Sequence, residues 1–129
     1  MSKRPARATW GFQMNATFDR QAALRLFRLL KKGRGPNARS LRVTVLEEYI
    51  IFESGAGLVS LPALVLESGA FTTSRTQFER ILGSFGGKDT LTIQADTARF
   101  RIGAFSKPLL DYESSPARPA DFEPPAASN

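Results

Sequence analysis

The sequence contains neither cysteine nor histidine. Their absence excludes zinc fingers, disulfide frameworks, haem ligation and catalytic sites that pair a serine or cysteine nucleophile with histidine. The chain also lacks the run of about 18 apolar residues that a membrane-spanning helix requires, and the basic residues Lys3 and Arg4 precede no apolar stretch of a signal peptide. We therefore expect a cytoplasmic protein that does not associate with membranes.

The chain has 129 residues, of which 42% are hydrophobic. A chain of this length buries roughly two-thirds of its unfolded surface, so it can form one domain around one core. Its carboxylates are scattered over predicted turns and strand faces, without a spacing typical of an acid–base pair. We predict a protein that is not an enzyme and that has no cofactor, no metal site and no small-molecule substrate.

The positive charge is concentrated in the first third of the chain. The net charge is +6, yet residues 20–42 alone contain eight lysines and arginines and no acidic residue. Residues 43–113 hold six bases against nine acids. A local basic segment is typical of a surface that faces a polyanion, although an ordinary solvated helix face and loop give the same pattern.

Apolar periodicity predicts a strand and a helix at the start of the domain. Five residues alternate with polar ones in a half-buried strand: Trp10, Phe12, Met14, Ala16 and Phe18. Asp19 then stands at an N-cap position, before apolar residues at helical spacing: Ala23, Leu26, Phe27 and Leu30. The helix is predicted to end near Gly33, where a flexible basic loop begins.

Strands are predicted next. Alternation over Leu41–Phe52, interrupted at Glu47 and Glu48, predicts a hairpin that turns again at residues 54–57. The apolar segment Leu58–Leu66 contains Pro62, which cannot donate to a strand ladder. This segment is therefore either two strands joined at the proline or one edge strand.

The second half of the chain repeats this plan. Ser74 and Gln77 have the spacing of a capping box, and a helix follows that is predicted to end at Gly86-Gly87. Its apolar residues lie 55 positions after those of the first helix: Phe78, Ile81, Leu82 and Phe85. A hairpin over Leu91–Ala104 follows, its apolar residues 50 positions after those of the first hairpin, and a last strand is predicted through Leu109, Leu110 and Tyr112.

These offsets predict an internal duplication of a β-α-β-β-β unit, although any two amphipathic units align in a similar way. The expected fold is α+β, with the two helices side by side on one face of an antiparallel sheet, continuous or paired. Residues 1–7 are predicted to be a disordered basic arm, residues 8–113 one domain, and residues 114–129 a disordered proline-rich tail. Phe122 in that tail is interpreted as an incidental aromatic residue or, alternatively, as a short partner motif.

A duplicated unit of this kind resembles one domain of the DNA polymerase sliding clamp, or processivity factor, family. The resemblance covers roughly residues 8–113 and rests on the order of elements and on the apolar pattern. In that family, two such helices per domain line a ring and present basic residues to duplex DNA. Clamps carry two or three such domains per chain, so the resemblance implies self-association of this chain into a dimer or a ring.

The basic residues on the helices are the candidate DNA-binding site. On the first helix, Arg25, Arg28 and Lys32 lie on one side, opposite the apolar stripe. Lys31 and Arg34 extend this basic surface, and the second helix adds Arg75 and Arg80 beside an acidic neighbour. No motif that reads bases is present, so we predict binding to duplex DNA through its phosphates, without sequence preference.

A protein-interaction module with no nucleic-acid role is the alternative function. It would keep the clamp-like fold and use its sheet edges together with the hairpin segment Glu47-Glu48-Tyr49.

Overall fold

The computed structural model describes residues 14–30, 39–55, 57–87, 89–120 and 122. Predictions for Trp10, Phe12 and the basic arm lie outside these residues. The described part contains two helices, α1 (Arg20–Leu29) and α2 (Arg75–Gly83). It also contains ten strands: β1 (Met14–Asp19), β2 (Ser40–Leu46), β3 (Tyr49–Ser54), β4 (Gly57–Pro62), β5 (Leu64–Glu67), β6 (Gly69–Ser74), β7 (Thr90–Ala95), β8 (Arg99–Ile102), β9 (Phe105–Pro108) and β10 (Asp111–Glu113).

The strands form two five-stranded antiparallel sheets. Sheet 1 has the order β5-β1-β7-β8-β9, and sheet 2 has the order β10-β6-β2-β3-β4. The two sheets have equivalent topologies: each strand of sheet 1 corresponds to a strand of sheet 2 whose number differs by five, and the corresponding strands occur in the same order. The predicted α+β fold is confirmed, and its sheet is paired rather than continuous.

The strand registers follow the offsets seen in the sequence. In sheet 2, Val43 pairs with Phe52 and Val45 pairs with Ile50. In sheet 1, the residues 50 positions later form the same pairs: Ile93 with Ile102 and Ala95 with Phe100. The two hairpins are therefore equivalent residue by residue.

Both helices begin where their caps predict. The Ala22 backbone N–H donates to Asp19 Oδ2 at 2.7 Å, and the Gln77 N–H donates to Ser74 Oγ at 3.3 Å. Each cap satisfies one of the N–H groups that a helix start leaves without a partner.

Both helices end earlier than predicted. Helix α1 ends at Leu29, before Gly33, and α2 ends at Gly83, before Gly86-Gly87. Ser84 explains the second difference, because its backbone N–H and its hydroxyl both donate to the carbonyl oxygen of Ile81 and close the last turn. Phe85 therefore lies beyond the helix, where its ring packs on Phe105 at 5.6 Å.

The core lies where the helices meet the sheets. The rings of Phe27 on α1 and Phe78 on α2 are 6.0 Å apart, and Phe52 on β3 contacts both, at 5.7 and 5.6 Å. The two predicted apolar stripes do pack beside each other. Leu26 and Phe85, which the periodicity placed in the core, are only half-buried at its margin.

The segment around Pro62 crosses from one sheet to the other. Pro62 ends β4, the edge strand of sheet 2, and after Ala63 the chain enters β5, the edge strand of sheet 1. Of the two interpretations of this segment, two strands is confirmed and one edge strand is wrong, although each of the two strands lies at the edge of its sheet. The predicted last strand is β10, which contains Tyr112, whereas β9 was not predicted.

The first residues of the proline-rich tail contact the rest of the fold. Phe122 is only 5% exposed, and its ring makes an edge contact with Tyr49 at 5.3 Å. Arg118 donates to both carboxylate oxygens of Glu47, at 2.6 and 2.8 Å. Composition, on which the prediction of disorder rests, does not report these two contacts, and the disorder of residues 114–129 stays a prediction.

Candidate nucleic-acid interface

Helix α1 separates an exposed basic side from a buried apolar side. Ala23 and Phe27 are fully buried, whereas Arg25 and Arg28 on the opposite side of the helix are exposed. This arrangement follows from the helical period of 3.6 residues, because residues three or four positions apart lie on the same face. The predicted basic side of α1 is therefore present as far as the helix extends.

Arg25 and Arg28 form no hydrogen bond or ion pair with any other residue in the described part of the chain. The nearest acidic residue along the chain, Asp19, is engaged as the helix cap. Two arginines three positions apart on one helix repel each other slightly. Arg28 recovers part of this cost, because it lies in the last turn, near the negative end of the helix dipole.

The basic side of α1 borders an open groove of about 640 Å³. On the other side of the groove lie Gly83 and Gly86, from the end of α2, where an added Cβ would meet nothing within 4 Å. No acidic residue lines the groove among the residues that the structure describes. The remaining lining residues all belong to α1: Arg20, Gln21, Leu24, Arg25, Arg28 and Leu29.

Arg75, which the sequence predicted to face DNA, is buried, with 6% of its surface exposed. Its guanidinium donates to the carbonyl oxygen of Leu30 and, at 3.2 Å, to Ser54 Oγ, and it lies 5.2 Å from the ring centre of Phe27. Arg75 therefore serves the fold and is not available to a phosphate.

Arg20 has the corresponding role at the start of α1. It is 9% exposed, and its Nη1 donates to the carbonyl oxygen of Leu82 at 3.3 Å. The sequence contained a signal for both arginines. Each follows an N-cap directly, the two are 55 positions apart, and each precedes buried residues by three and seven positions, which places it on the buried side of its helix.

The other predicted site residues fall into two groups. Arg80 is exposed on α2, next to the half-exposed Glu79, and it does not line the groove. Lys31, Lys32 and Arg34 lie outside the described residues. Of the residues predicted to bind DNA, Arg25 and Arg28 therefore lie together at the groove.

No group of three acidic residues that could hold a metal ion occurs among the residues that the structure describes. None of the helices in the described ranges is long and apolar enough to cross a membrane.

Two helices packed on a pair of five-stranded antiparallel sheets, in this order, define the fold of one sliding-clamp domain. The beta clamp of Helicobacter pylori bound to a DNA ligase peptide is similar to this chain, with a TM-score of 0.67 and 14% identity over 76% of this chain and 31% of that one. The DNA polymerase III subunit beta of Borrelia burgdorferi, in complex with a natural product, is similar with a TM-score of 0.66 and 9% identity over 77% and 32%.

The sliding clamp of Bartonella birtlesii bound to griselimycin extends the likeness to 90% of this chain and 33% of that one, with a TM-score of 0.61 and 13% identity. This chain therefore spans about a third of the length of these clamps. No protein-family model and no curated protein matched the sequence. The resemblance to a single clamp domain is confirmed, and at these identities it establishes the fold alone.

Proposed function

We propose that the protein is a clamp-like, DNA-associated accessory protein without catalytic activity. It would bind the phosphates of duplex DNA, without sequence preference, through the exposed side of α1. The observation that carries this proposal is the pair Arg25 and Arg28, which is exposed and has no acidic partner in the described residues. The groove that the pair borders is lined by no carboxylate from the described ranges. Binding of such a surface to the phosphates of DNA is favourable, because it releases the cations condensed on the DNA.

The fold supports the same proposal. The solved structures that this chain resembles are sliding clamps, and two of them are described as a DNA polymerase III subunit. Because this chain spans about a third of those clamps, closing a ring from such single domains would take several copies, which is the basis for proposing self-association. The equal registers at an offset of 50 support a duplicated origin of the two halves.

Salt dependence gives the proposal a measurable form. Each phosphate contact lowers log K by about 0.9 for each unit of log salt. A surface that uses four to six bases, among them Arg25, Arg28 and Arg80 together with Lys31, Lys32 and Arg34, predicts a slope of roughly −4 to −5.

The test is a fluorescence titration of a short labelled duplex over a salt series. Changing Arg25, Arg28 and Lys32 together to Ala should flatten the slope by about 2 to 3 units. The matched control changes Arg99 and Arg101 to Ala. Both are exposed on the face of β8 opposite Phe100, whose ring contacts Phe78 of α2, so they should not contribute. The proposal is wrong if the wild type does not associate at about 50 mM salt, or if the triple variant keeps the wild-type slope.

The alternative function, a protein-interaction module, is supported by a different observation. The hairpin segment that carries Glu47 and Tyr49 already binds another segment of the same chain, through Arg118 and Phe122. In that case the duplex titration shows no association with DNA, and the hairpin rather than α1 is the functional surface.

A further inference from the structure

The outer face of sheet 2 is covered. Ala70, Thr44 and Ile51 lie side by side across β6, β2 and β3, because Thr44 pairs with Ala70 on one side and with Ile51 on the other. Each alternates with core residues of its strand, so all three point away from the core. All three are nevertheless buried, at 0–1% exposure. A second layer therefore lies on this face.

The equivalent row on sheet 1 is open. At the same offsets it consists of Asn15, Gln94 and Arg101, which also pair side by side. These residues are polar, and they are half-exposed or exposed. The two rows occupy equivalent positions in the two sheets and differ in whether they are covered. The residues of the row on sheet 2 are therefore small or apolar because a second layer covers them.

The proline-rich tail runs from one end of the covered row to the other. Strand β10 ends at Glu113, which pairs with Ala70, and Phe122 packs on Tyr49, two residues before Ile51 on β3. Between β6, which carries Ala70, and β3, which carries Tyr49, lies β2 with Thr44, and Pro116, which lies between the two points in sequence, is buried.

Few side chains anchor the far end of this segment. The ion pair of Arg118 with Glu47 has both side chains 46% exposed, and such pairs contribute little because water competes for them. The Phe122 ring contacts Tyr49, and the Arg118 guanidinium lies 5.8 Å from the Phe122 ring centre. A different peptide that presents an arginine and an aromatic ring at this spacing can make the same contacts.

We propose that the outer face of sheet 2 is a peptide-docking surface that residues 114–122 of this chain occupy, and that a partner binds it by displacing them. The partner segment contains proline and has an arginine four residues before a phenylalanine, with a turn between them like the one that the Phe122 N–H closes on the Pro119 carbonyl oxygen at 3.0 Å. The arginine pairs with the carboxylate of Glu47, the phenylalanine packs on Tyr49, and small or proline residues cover the row between. This surface is independent of the proposed DNA contacts on α1.

The test uses the full chain and a labelled peptide of residues 114–129. A tail tethered to its own docking surface competes at an effective concentration in the millimolar range. Phe122→Ala protein should release its tail and bind the added peptide about tenfold more tightly than wild type, or better. The matched control is Phe105→Ala, which removes an exposed ring from sheet 1 and should keep the wild-type affinity.

Two results would overturn the proposal. One is that Phe122→Ala protein binds the peptide no better than wild type. The other is that a peptide carrying Phe122→Ala binds that protein as tightly as the unaltered peptide. If Phe122→Ala protein fails to fold, Phe122→Leu protein takes its place, because leucine keeps an apolar side chain at this position and removes the ring contact with Tyr49. Both measurements omit DNA, so their outcome does not depend on the proposed DNA binding.

Discussion

Arg75, the first residue of α2, donates a hydrogen bond from Nη2 to the carbonyl oxygen of Leu30, the residue that caps the end of α1. Arg20, the first residue of α1, makes the reciprocal contact with the carbonyl oxygen of Leu82 in the last turn of α2. Carbonyls at a helix end lack donors of their own and carry the negative end of the helix dipole. The two guanidinium groups therefore connect the start of each helix with the end of the other. They lie on the buried side of the helices, whereas Arg25 and Arg28 lie on the exposed side.

Replacing Arg75 should destabilise the fold. Arg75→Ala leaves the Leu30 carbonyl and the Ser54 hydroxyl without this donor, and we expect a loss of about 2–3 kcal/mol from the free energy of unfolding. Arg80→Ala is the matched control on the same helix, and as an exposed site it should change stability by less than about 0.5 kcal/mol. Urea midpoints measure both. Equal losses would contradict a structural role for Arg75.

The same two variants should behave in the opposite way towards DNA. Arg80 is exposed, so Arg80→Ala should flatten the salt slope of duplex binding by about one unit if its phosphate contact exists. Arg75→Ala should leave that slope unchanged wherever the variant is folded. A slope change in Arg75→Ala alone would place the DNA surface elsewhere.

The two helix residues Phe27 and Leu26 should differ in what they contribute. Phe27 is fully buried between the rings of Phe52 and Phe78, so Phe27→Ala should cost about 3–5 kcal/mol. Leu26 is half-buried at the margin of the core, and Leu26→Ala should cost about 1 kcal/mol. Leu29, 66% exposed, serves as the control that changes little. Chemical unfolding that ranks Leu26 with Phe27 would contradict this assignment.

Apolar periodicity predicted most of the fold. The helix caps Asp19 and Ser74, the hairpin registers and the contact between Phe27 and Phe78 all follow from spacing, because burial on one face imposes that spacing locally. The end of α2 did not follow, since Ser84 closes the helix with two hydrogen bonds that periodicity does not register.

The candidate site was only partly predictable from charge. Charge alone made Arg75 equivalent to Arg25, although one is buried and the other exposed. The two arginines lie on different sides of their helices. Arg75 precedes the buried Phe78 and Leu82 by three and seven positions, and this spacing places it on the buried side of α2. Phe122 was missed for a different reason, because its partner Tyr49 is distant in sequence and no local pattern reports a contact of that kind.

Gly69 lies where the chain leaves no room for a side chain. A Cβ at this position would be 2.9 Å from the Cβ of Met14 and 2.9 Å from the Tyr112 hydroxyl. Gly69→Ala should therefore lower the free energy of unfolding by about 1–3 kcal/mol, because the neighbours must move. Gly83→Ala is the control, since nothing lies within 4 Å of its Cβ and alanine favours the helix by up to about 1 kcal/mol. A thermal midpoint that rises for both variants would contradict the close approach at Gly69.

The hydroxyl of Tyr112, which faces Gly69, is buried and forms no hydrogen bond with any described residue. Burial raises the pKa of this phenol, and the nearby Asp96 carboxylate raises it further by repelling the phenolate. Above pH about 10 the unfolded chain loses this proton while the folded chain retains it, so stability falls as pH rises through that range.

Tyr112→Phe removes both the unpaired hydroxyl and the titration. At neutral pH the variant should be as stable as wild type or more stable by up to about 1 kcal/mol, because no hydrogen bond to a described residue is lost. Between pH about 9 and 11 the wild type should lose stability more steeply than the variant, since only the wild type has a phenol at this position to titrate. Asp96→Asn should lie between the two, because it removes the smaller cause of the shift and keeps the larger. Urea unfolding of the three proteins over a pH series measures these slopes, and parallel curves for wild type and Tyr112→Phe would show that Tyr112 titrates alike in the folded and unfolded chain.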